Sequence, residues 1–243
     1  MFTNKAWRRI CFTLPVCLMM VMNLFMPMGT ALAHFDPPQA HFAVFLTHNV
    51  VEGYTWPKLG GSQDWLYGES IDITVDVYAS EEAYLDGHPA LHSATQPTTL
   101  KDSEHEGYEW ESFVRFELGE AFQIQHGHYV VMTNGEVTKE HLVSNLSVTT
   151  INVDDDILTG TADANQALEV GANCGPTGCI SVFPTSDAGG NWTADFTGID
   201  DIADGSGGLV LFREPGEPSE NDGGDLTIID WQAGEPFLHA WVE

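Results

Sequence analysis

The sequence predicts an all-β protein built from antiparallel β-sandwiches, and two observations favour this fold class. Short apolar or β-branched runs recur between Gly, Asn and Asp residues that favour turns, most densely at residues 156–196. Helical periodicity is absent after the N-terminal segment, apart from one turn at residues 81–85. A succession of hairpins of this kind is typical of small antiparallel sandwiches.

The N-terminal segment predicts export. Lys5, Arg8 and Arg9 precede an apolar run at residues 10–26, and T-A-L-A at residues 30–33 has the small-residue pattern of a cleavage site. A membrane anchor is the competing interpretation, but the run is short and lacks a basic flank. We therefore expect a signal peptide over residues 1–33, no membrane span after cleavage and a secreted or cell-surface location.

The charge of the chain is strongly negative. The formal net charge is −28, and losing the three basic residues of the predicted signal would make it −31. Such a surface repels nucleic acid and anionic lipid, and it attracts divalent cations or basic partners. We therefore expect no nucleic-acid partner.

Two of the four cysteines, Cys174 and Cys179, follow the predicted signal. In an oxidising compartment we expect them to form a disulfide that closes a hairpin loop. A thiol metal site is the alternative, which the absence of a nearby His disfavours. Because the closed loop is short, the bond would fix the turn more than it stabilises the domain.

The mature chain is predicted to form two domains, residues 34–148 and 149–243. Strict alternation makes residues 70–78 the clearest strand, and Asn134-Gly135 predicts a hairpin with a type I′ turn. Residues 81–111 form a long polar insertion without a strand pattern. The predicted core residues are Ile71, Ile73, Val75, Val77, Val130, Leu168, Val170, Val182, Trp192 and Phe196.

Three parts of the sequence resemble a known family. They are residues 127–161, residues 187–231 with G-N-W-T-A-D-F and T-I-I-D-W, and residues 51–77 with G-Y-T-W-P and G-E-S-I-D-I-T-V. The pattern of Gly, Trp and Asp residues in these segments is similar to that of tandem immunoglobulin-like (Ig-like) β-sandwich modules of secreted and cell-surface bacterial proteins. The resemblance implies two consecutive Ig-like domains that act as spacers or adhesion units, and it brings no catalytic residues. The cysteine-closed turn and the His-rich insertion depart from the pattern.

Acidic loops are candidates for a calcium site between the predicted domains. Calcium takes several hard oxygen ligands from flexible loops, and an ion there would stiffen the junction. The alternative is a solvated acidic surface, and no EF-hand pattern is present. The candidate ligands are Asp154, Asp155, Asp156, Asp200, Asp201 and Asp204.

Histidines are candidates for other metals. His34 would be the mature N-terminus, where the terminal amine and the imidazole could chelate copper together with a second His. His88 and His92 in G-H-P-A-L-H would share one face of a short helix, which suits zinc. The alternatives are a chance His after the cleavage site and a solvated polar loop.

Four aromatic residues of the first domain are candidates for ligand contact, because flat rings beside carboxylates often hold sugars. They lie in polar, Gly-containing surroundings, although burial in the core is the alternative. These residues are Trp65, Tyr67, Tyr108 and Trp110.

Catalytic patterns are missing from the sequence. It has no G-x-S-x-G nucleophile elbow, and no carboxylate pair stands out from the excess of acids. We therefore expect a secreted, acidic, non-catalytic structural or adhesion module, with calcium as a candidate stiffening ion. A glycan-binding module is the alternative, and copper binding at His34 is third. The expected partner is a cell-surface protein or a glycan.

Overall fold

The computed structural model describes residues 40–54, 56, 70–102, 110–175, 178–213 and 225–234. All of them belong to one compact unit, residues 38–243. They form fifteen strands and one five-residue helix, which confirms the all-β prediction. No helix in this part of the chain is long and apolar enough to cross a bilayer.

One helix and fifteen strands follow one another along the described part of the chain. The helix α1 spans Glu81–Leu85 between β3 and β4. The strands are β1 (His41–Phe45), β2 (Val50–Tyr54), β3 (Asp72–Tyr78), β4 (His92–Pro97), β5 (Thr99–Asp102), β6 (Trp110–Glu117), β7 (Tyr129–Thr133), β8 (Thr138–Leu142), β9 (Leu146–Asn152), β10 (Ile157–Ala162), β11 (Leu168–Gly175), β12 (Gly178–Val182), β13 (Asn191–Asp195), β14 (Gly207–Arg213) and β15 (Leu226–Gln232).

The described strands form three sheets. An eight-stranded sheet has the order β12-β11-β14-β15-β1-β2-β6-β5, a four-stranded sheet has the order β4-β3-β7-β8, and a three-stranded sheet has the order β13-β10-β9. Neighbouring strands are antiparallel, with the exception of β1 and β15, which are parallel and pair Ala43 with Leu226. The eight-stranded sheet therefore contains strands from both ends of the described chain.

Buried apolar side chains form two clusters that follow the order of the sequence. The first core, within residues 40–143, includes Phe42, Trp56, Val75 and Phe116. The second core, within residues 146–233, includes Leu158, Trp192, Phe196 and Trp231. Leu46 packs against both. The second core begins at Leu146, before the predicted boundary at residue 148, and the β1–β15 pairing makes one sheet continuous between the cores. The domain division and the Ig-like arrangement stay predictions.

The predicted core residues lie in these two clusters. All of them are buried except Val182, which is partly buried against the second core. The alternation of β3 explains why the first four were predictable. Ile73, Val75 and Val77 face the first core, and the polar residues between them face the solvent.

The hairpin of β7 and β8 was predicted correctly, but its type I′ turn was wrong. Thr133 pairs with Thr138, so the loop has four residues instead of two. Gly135 has a positive φ of 91°, whereas Asn134 does not. The Asn134 carboxamide oxygen accepts hydrogen bonds from the backbone N–H groups of Glu136 at 3.0 Å and Val137 at 2.7 Å. This side-chain turn replaces the backbone turn that Asn-Gly suggested.

The polar insertion at residues 81–111 contains regular structure, contrary to the sequence prediction. Ser80 caps α1 by accepting a hydrogen bond from the Ala83 N–H at 3.2 Å, and β4 and β5 follow. β4 forms the edge of its sheet, and each of its residues is exposed or half-buried. Its sequence, H-S-A-T-Q-P, therefore lacks apolar alternation. Periodicity identifies a strand only where one face is buried.

The predicted disulfide between Cys174 and Cys179 is present and joins β11 to β12. It lies over the backbone of Gly171, where a Cβ atom would come within 2.8 Å of the Cys179 Cβ. The bond therefore fixes the edge of the eight-stranded sheet.

Candidate functional site

Several predicted site residues lie outside the described part of the chain. They are His34, Trp65, Tyr67 and Tyr108, together with the predicted signal peptide. Trp110 is the first residue of β6, but its side chain is not described. Copper binding at His34 and glycan binding by the four predicted aromatic residues therefore stay predictions.

The two acidic segments predicted as a calcium site lie next to each other. The Asp156 carboxylate accepts a hydrogen bond from the Ile202 N–H at 2.9 Å, and the Thr197 hydroxyl donates to the Asp155 carbonyl at 3.0 Å. The Asn173 carboxamide donates to the Asp200 carboxylate at 2.7 Å. These bonds hold the loops at the end of the second core.

Among the described residues, no three His, Cys, Asp or Glu side chains are close enough to share a metal ion. This set includes Asp154, Asp155, Asp156, Asp200, Asp201 and Asp204. Calcium binding at these loops stays a prediction.

His88 and His92 do not lie on one helix, as the zinc hypothesis required. The helix ends at Leu85, His88 lies in the turn that follows, and His92 begins β4. The His92 ring stacks on Phe122 at a centroid distance of 5.0 Å, and His128 stacks on the same Phe122 at 5.7 Å. Burial lowers the pKa of His128. These contacts are packing interactions.

The outward face of the four-stranded sheet carries a row of large side chains. Tyr78 on β3 pairs with Tyr129 on β7, which pairs with Leu142 on β8. Leu91 donates its N–H to the Val77 carbonyl at 2.7 Å and precedes His92, the partner of Val77, so it lies beside Tyr78. Leu91 is 53% exposed and Leu142 is 44% exposed. These two leucines extend into the solvent, whereas the apolar residues that the sheet contributes to the first core lie on its inward face.

Helix α1 adds a third tyrosine to this row. Tyr84 packs over the sheet with its ring centroid 5.1 Å from that of Tyr78 and 5.4 Å from that of Tyr129. The Ser80 cap and the short turn after β3 fix the position of the helix. We call the surface formed by Leu91, Tyr78, Tyr84, Tyr129 and Leu142 the tyrosine strip.

Glu140 on β8 lies at the centre of the polar groups of the strip. One of its carboxylate oxygens accepts a hydrogen bond from the Tyr84 hydroxyl, and the other accepts one from the Tyr129 hydroxyl, both at 2.8 Å. Two hydroxyl donors hold the carboxylate in one orientation. Within the described part of the chain, Glu140 has no cationic partner.

The surroundings keep the three tyrosines protonated. The hydrogen bond to Glu140 raises the pKa of Tyr84, and burial followed by the Glu140 contact raises the pKa of Tyr129. Burial, with a smaller contribution from Asp76, raises the pKa of Tyr78. The carboxylates that contribute to these shifts belong to Asp76, Glu81 and Glu140, so three acidic side chains lie near the strip.

A second group of aromatic side chains lies on the eight-stranded sheet, and the charged side chains beside it pair with each other. The Tyr54 ring stacks on His41 at 5.2 Å and lies 4.3 Å below the Lys101 ammonium. The same ammonium is 3.5 Å from the Glu111 carboxylate. The ammonium of Lys101 already interacts with the Tyr54 ring and the Glu111 carboxylate here. The tyrosine strip is therefore the better candidate for binding an external ligand.

The alternation of β3 is a sequence signal for one residue of the strip. The alternation that directs Ile73, Val75 and Val77 inward also directs Tyr78 outward. Nothing local indicates that Tyr84 and Tyr129 meet it, because their contact depends on how α1 folds back over the sheet.

Comparisons with known proteins add little about function. No family model and no curated protein matches the chain. Among solved structures, a pullulanase complexed with maltotriose, from Anoxybacillus sp. LM18-11, is 12% identical with a TM-score of 0.24, over 72% of this chain and 24% of that one. A tetra-tandem repeat in the extending region of a large adhesion protein is 12% identical with a TM-score of 0.25, over 80% of this chain and 49% of that one. Likeness this weak carries no argument about function.

Proposed function

We propose that this chain is a secreted, non-catalytic adhesion module that contacts a cell-surface partner through the tyrosine strip. The observation that carries the proposal is the row of two exposed leucines and two tyrosines on one sheet face, with Tyr84 of the helix packed on both of these tyrosines. Tyrosine is enriched at the energetic centres of protein interfaces because its ring provides a large contact area and its hydroxyl provides a hydrogen bond.

The residues packed beneath the tyrosine strip hold its side chains in place, as a binding surface requires. Tyr78 and Tyr129 extend from β3 and β7, whose inward residues Val75, Val77 and Val130 are fully buried. Ring contacts with Tyr78 and Tyr129 restrict Tyr84. Contact groups that are ordered before binding lose less conformational entropy when the partner arrives.

A glycan is the alternative partner, and the position of Glu140 beside Tyr84 favours it. A sugar ring could stack on the partly exposed Tyr84 ring while a sugar hydroxyl donates to the carboxylate. The tyrosine strip would then replace Trp65, Tyr67, Tyr108 and Trp110 as the platform.

The test is a binding screen of the mature chain on arrays of glycans and of purified extracellular proteins. We expect saturable binding that Leu142→Ser weakens by about tenfold, because the substitution removes a large exposed apolar contact at one end of the strip. Ile180→Ser is the matched control, because Ile180 is 41% exposed and belongs to the second half of the chain. Binding that both variants weaken equally, or that neither weakens, would refute the role of the strip.

A further inference from the structure

We infer that the partner presents a lysine or arginine side chain to the tyrosine strip and that Glu140 receives this cation. The inference rests on the proposed function and names the chemistry of the partner, a basic protein segment. The strip presents aromatic rings, and the carboxylate of Glu140 lies beside two of them.

Among the described residues, Glu140 is held by hydroxyl groups and not by a basic side chain. Some other carboxylates in this part of the chain have basic partners: Glu52 pairs with Arg115, Glu111 lies 3.5 Å from Lys101, and buried Asp225 lies 3.6 Å from Lys139. Glu140 is exposed, and its two oxygens are held by the hydroxyls of Tyr84 and Tyr129. A carboxylate oxygen has more than one acceptor position, so each oxygen retains capacity for a cationic donor.

The same molecule already holds a cation between a tyrosine ring and a carboxylate. The Lys101 ammonium lies 4.3 Å from the Tyr54 ring centroid and 3.5 Å from the Glu111 carboxylate. An ammonium or guanidinium group above the Tyr84 ring would meet the same pair of partners, a tyrosine face and a carboxylate. Cations are attracted to such rings at distances up to about 6 Å.

Acidic side chains lie around the strip. Asp76 and Glu81 lie close enough to Tyr78 and Tyr129, respectively, to contribute to their raised pKa values, and Glu140 contributes directly. Lys139, the neighbour of Glu140 on β8, alternates to the other face of the sheet and pairs with Asp225. The net charge of −28 would also attract a basic partner from a distance.

The competing explanation is that an acidic protein attracts any cation without a specific site. Net charge alone predicts an equal effect of every Glu→Gln substitution, whereas a site at the strip predicts a large effect at Glu140 only. Glu169 is a suitable control, because its carboxylate also accepts a hydroxyl hydrogen bond, from Ser181 at 2.9 Å, and it lies in the second half of the chain.

The experiment titrates the mature chain with a synthetic Gly/Ser peptide that carries spaced arginines, and with the same peptide carrying neutral citrulline. Calorimetry or fluorescence anisotropy at physiological ionic strength measures the affinity. We expect Glu140→Gln to weaken binding of the arginine peptide by about tenfold or more and Glu169→Gln to change it less than about twofold. The citrulline peptide should not bind.

Two further measurements keep the test decisive. Tyr84→Ala leaves the net charge unchanged, so its loss of affinity separates the ring contact from general attraction, and circular dichroism checks that each variant is folded. Equal losses in the Glu140 and Glu169 variants, or binding that is indifferent to Tyr84, would overturn the basic partner. Array binding that depends on Leu142 but not on Glu140 would also overturn it, while leaving the proposed function intact.

Discussion

At the scale of single residues, Gly160 shows how closely the second half of the chain is packed. A Cβ atom at this position would lie 1.9 Å from the Ser147 carbonyl oxygen and 2.3 Å from the buried Trp192 ring. The pairing of β9 with β10 shifts its register between Thr159 and Gly160. The absent side chain lets the indole pack directly on the backbone of β10.

We expect Gly160→Ala to lower the free energy of unfolding by about 3 kcal/mol, because the backbone oxygen of Ser147 cannot move away without disturbing the sheet. Urea denaturation followed by tryptophan fluorescence measures the change. Gly175→Ala is the control, since a Cβ there meets no atom within 4 Å, and it should change stability by less than about 0.5 kcal/mol. Equal effects of the two substitutions would contradict this account of the packing.

At the scale of elements, prediction from sequence succeeded where one face of a strand is buried. The apolar positions of β3 fall at every second residue, so both the strand and its inward face could be predicted. The prediction failed for β4, whose exposed edge position places no constraint on its sequence. In the tyrosine strip, the outward position of Tyr78 could be predicted from the alternation of β3. The position of Tyr84 could not, because it depends on a helix that folds back onto the sheet.

The disulfide hairpin of β11 and β12 allows a second stability prediction. Replacing both Cys174 and Cys179 with Ser should lower the free energy of unfolding by only about 2 kcal/mol, because the loop they close is short. Limited proteolysis should then cut the turn between β11 and β12 before any other described loop. A loss of more than about 4 kcal/mol in urea denaturation would mean that the bond stabilises more than the hairpin.

At the scale of the whole molecule, the parallel pairing of β1 with β15 could not be predicted. The paired residues Ala43 and Leu226 are far apart in sequence, and neither strand carries a local signal for its partner. Asp225 strengthens the same contact, because its carboxylate accepts the Phe42 N–H at 2.9 Å and lies 3.6 Å from the Lys139 ammonium. It thereby connects β15 to β1 and to the four-stranded sheet.

We therefore expect the two cores to unfold in one transition and Asp225→Ala to lower its free energy by about 3 kcal/mol, since Lys139 loses a buried partner. Calorimetry tests the first expectation through agreement between the calorimetric and van't Hoff enthalpies. Asp230→Ala is the control on the same strand, because Asp230 pairs with His48 at the surface and should contribute less than about 1 kcal/mol. Two separate transitions would instead support two independent domains.

The parallel direction of β1 and β15 also decides how the protein would respond to tension. The two strands run the same way, so a pull on residue 40 against residue 234 acts along both strands in opposite directions. This is a shear geometry, in which the hydrogen bonds between Ala43–Phe45 and Leu226–Ile228 are loaded together and must break together. An antiparallel pair pulled from adjacent ends would instead unzip one bond at a time. A module that holds a partner at a cell surface would bear such a force along its chain.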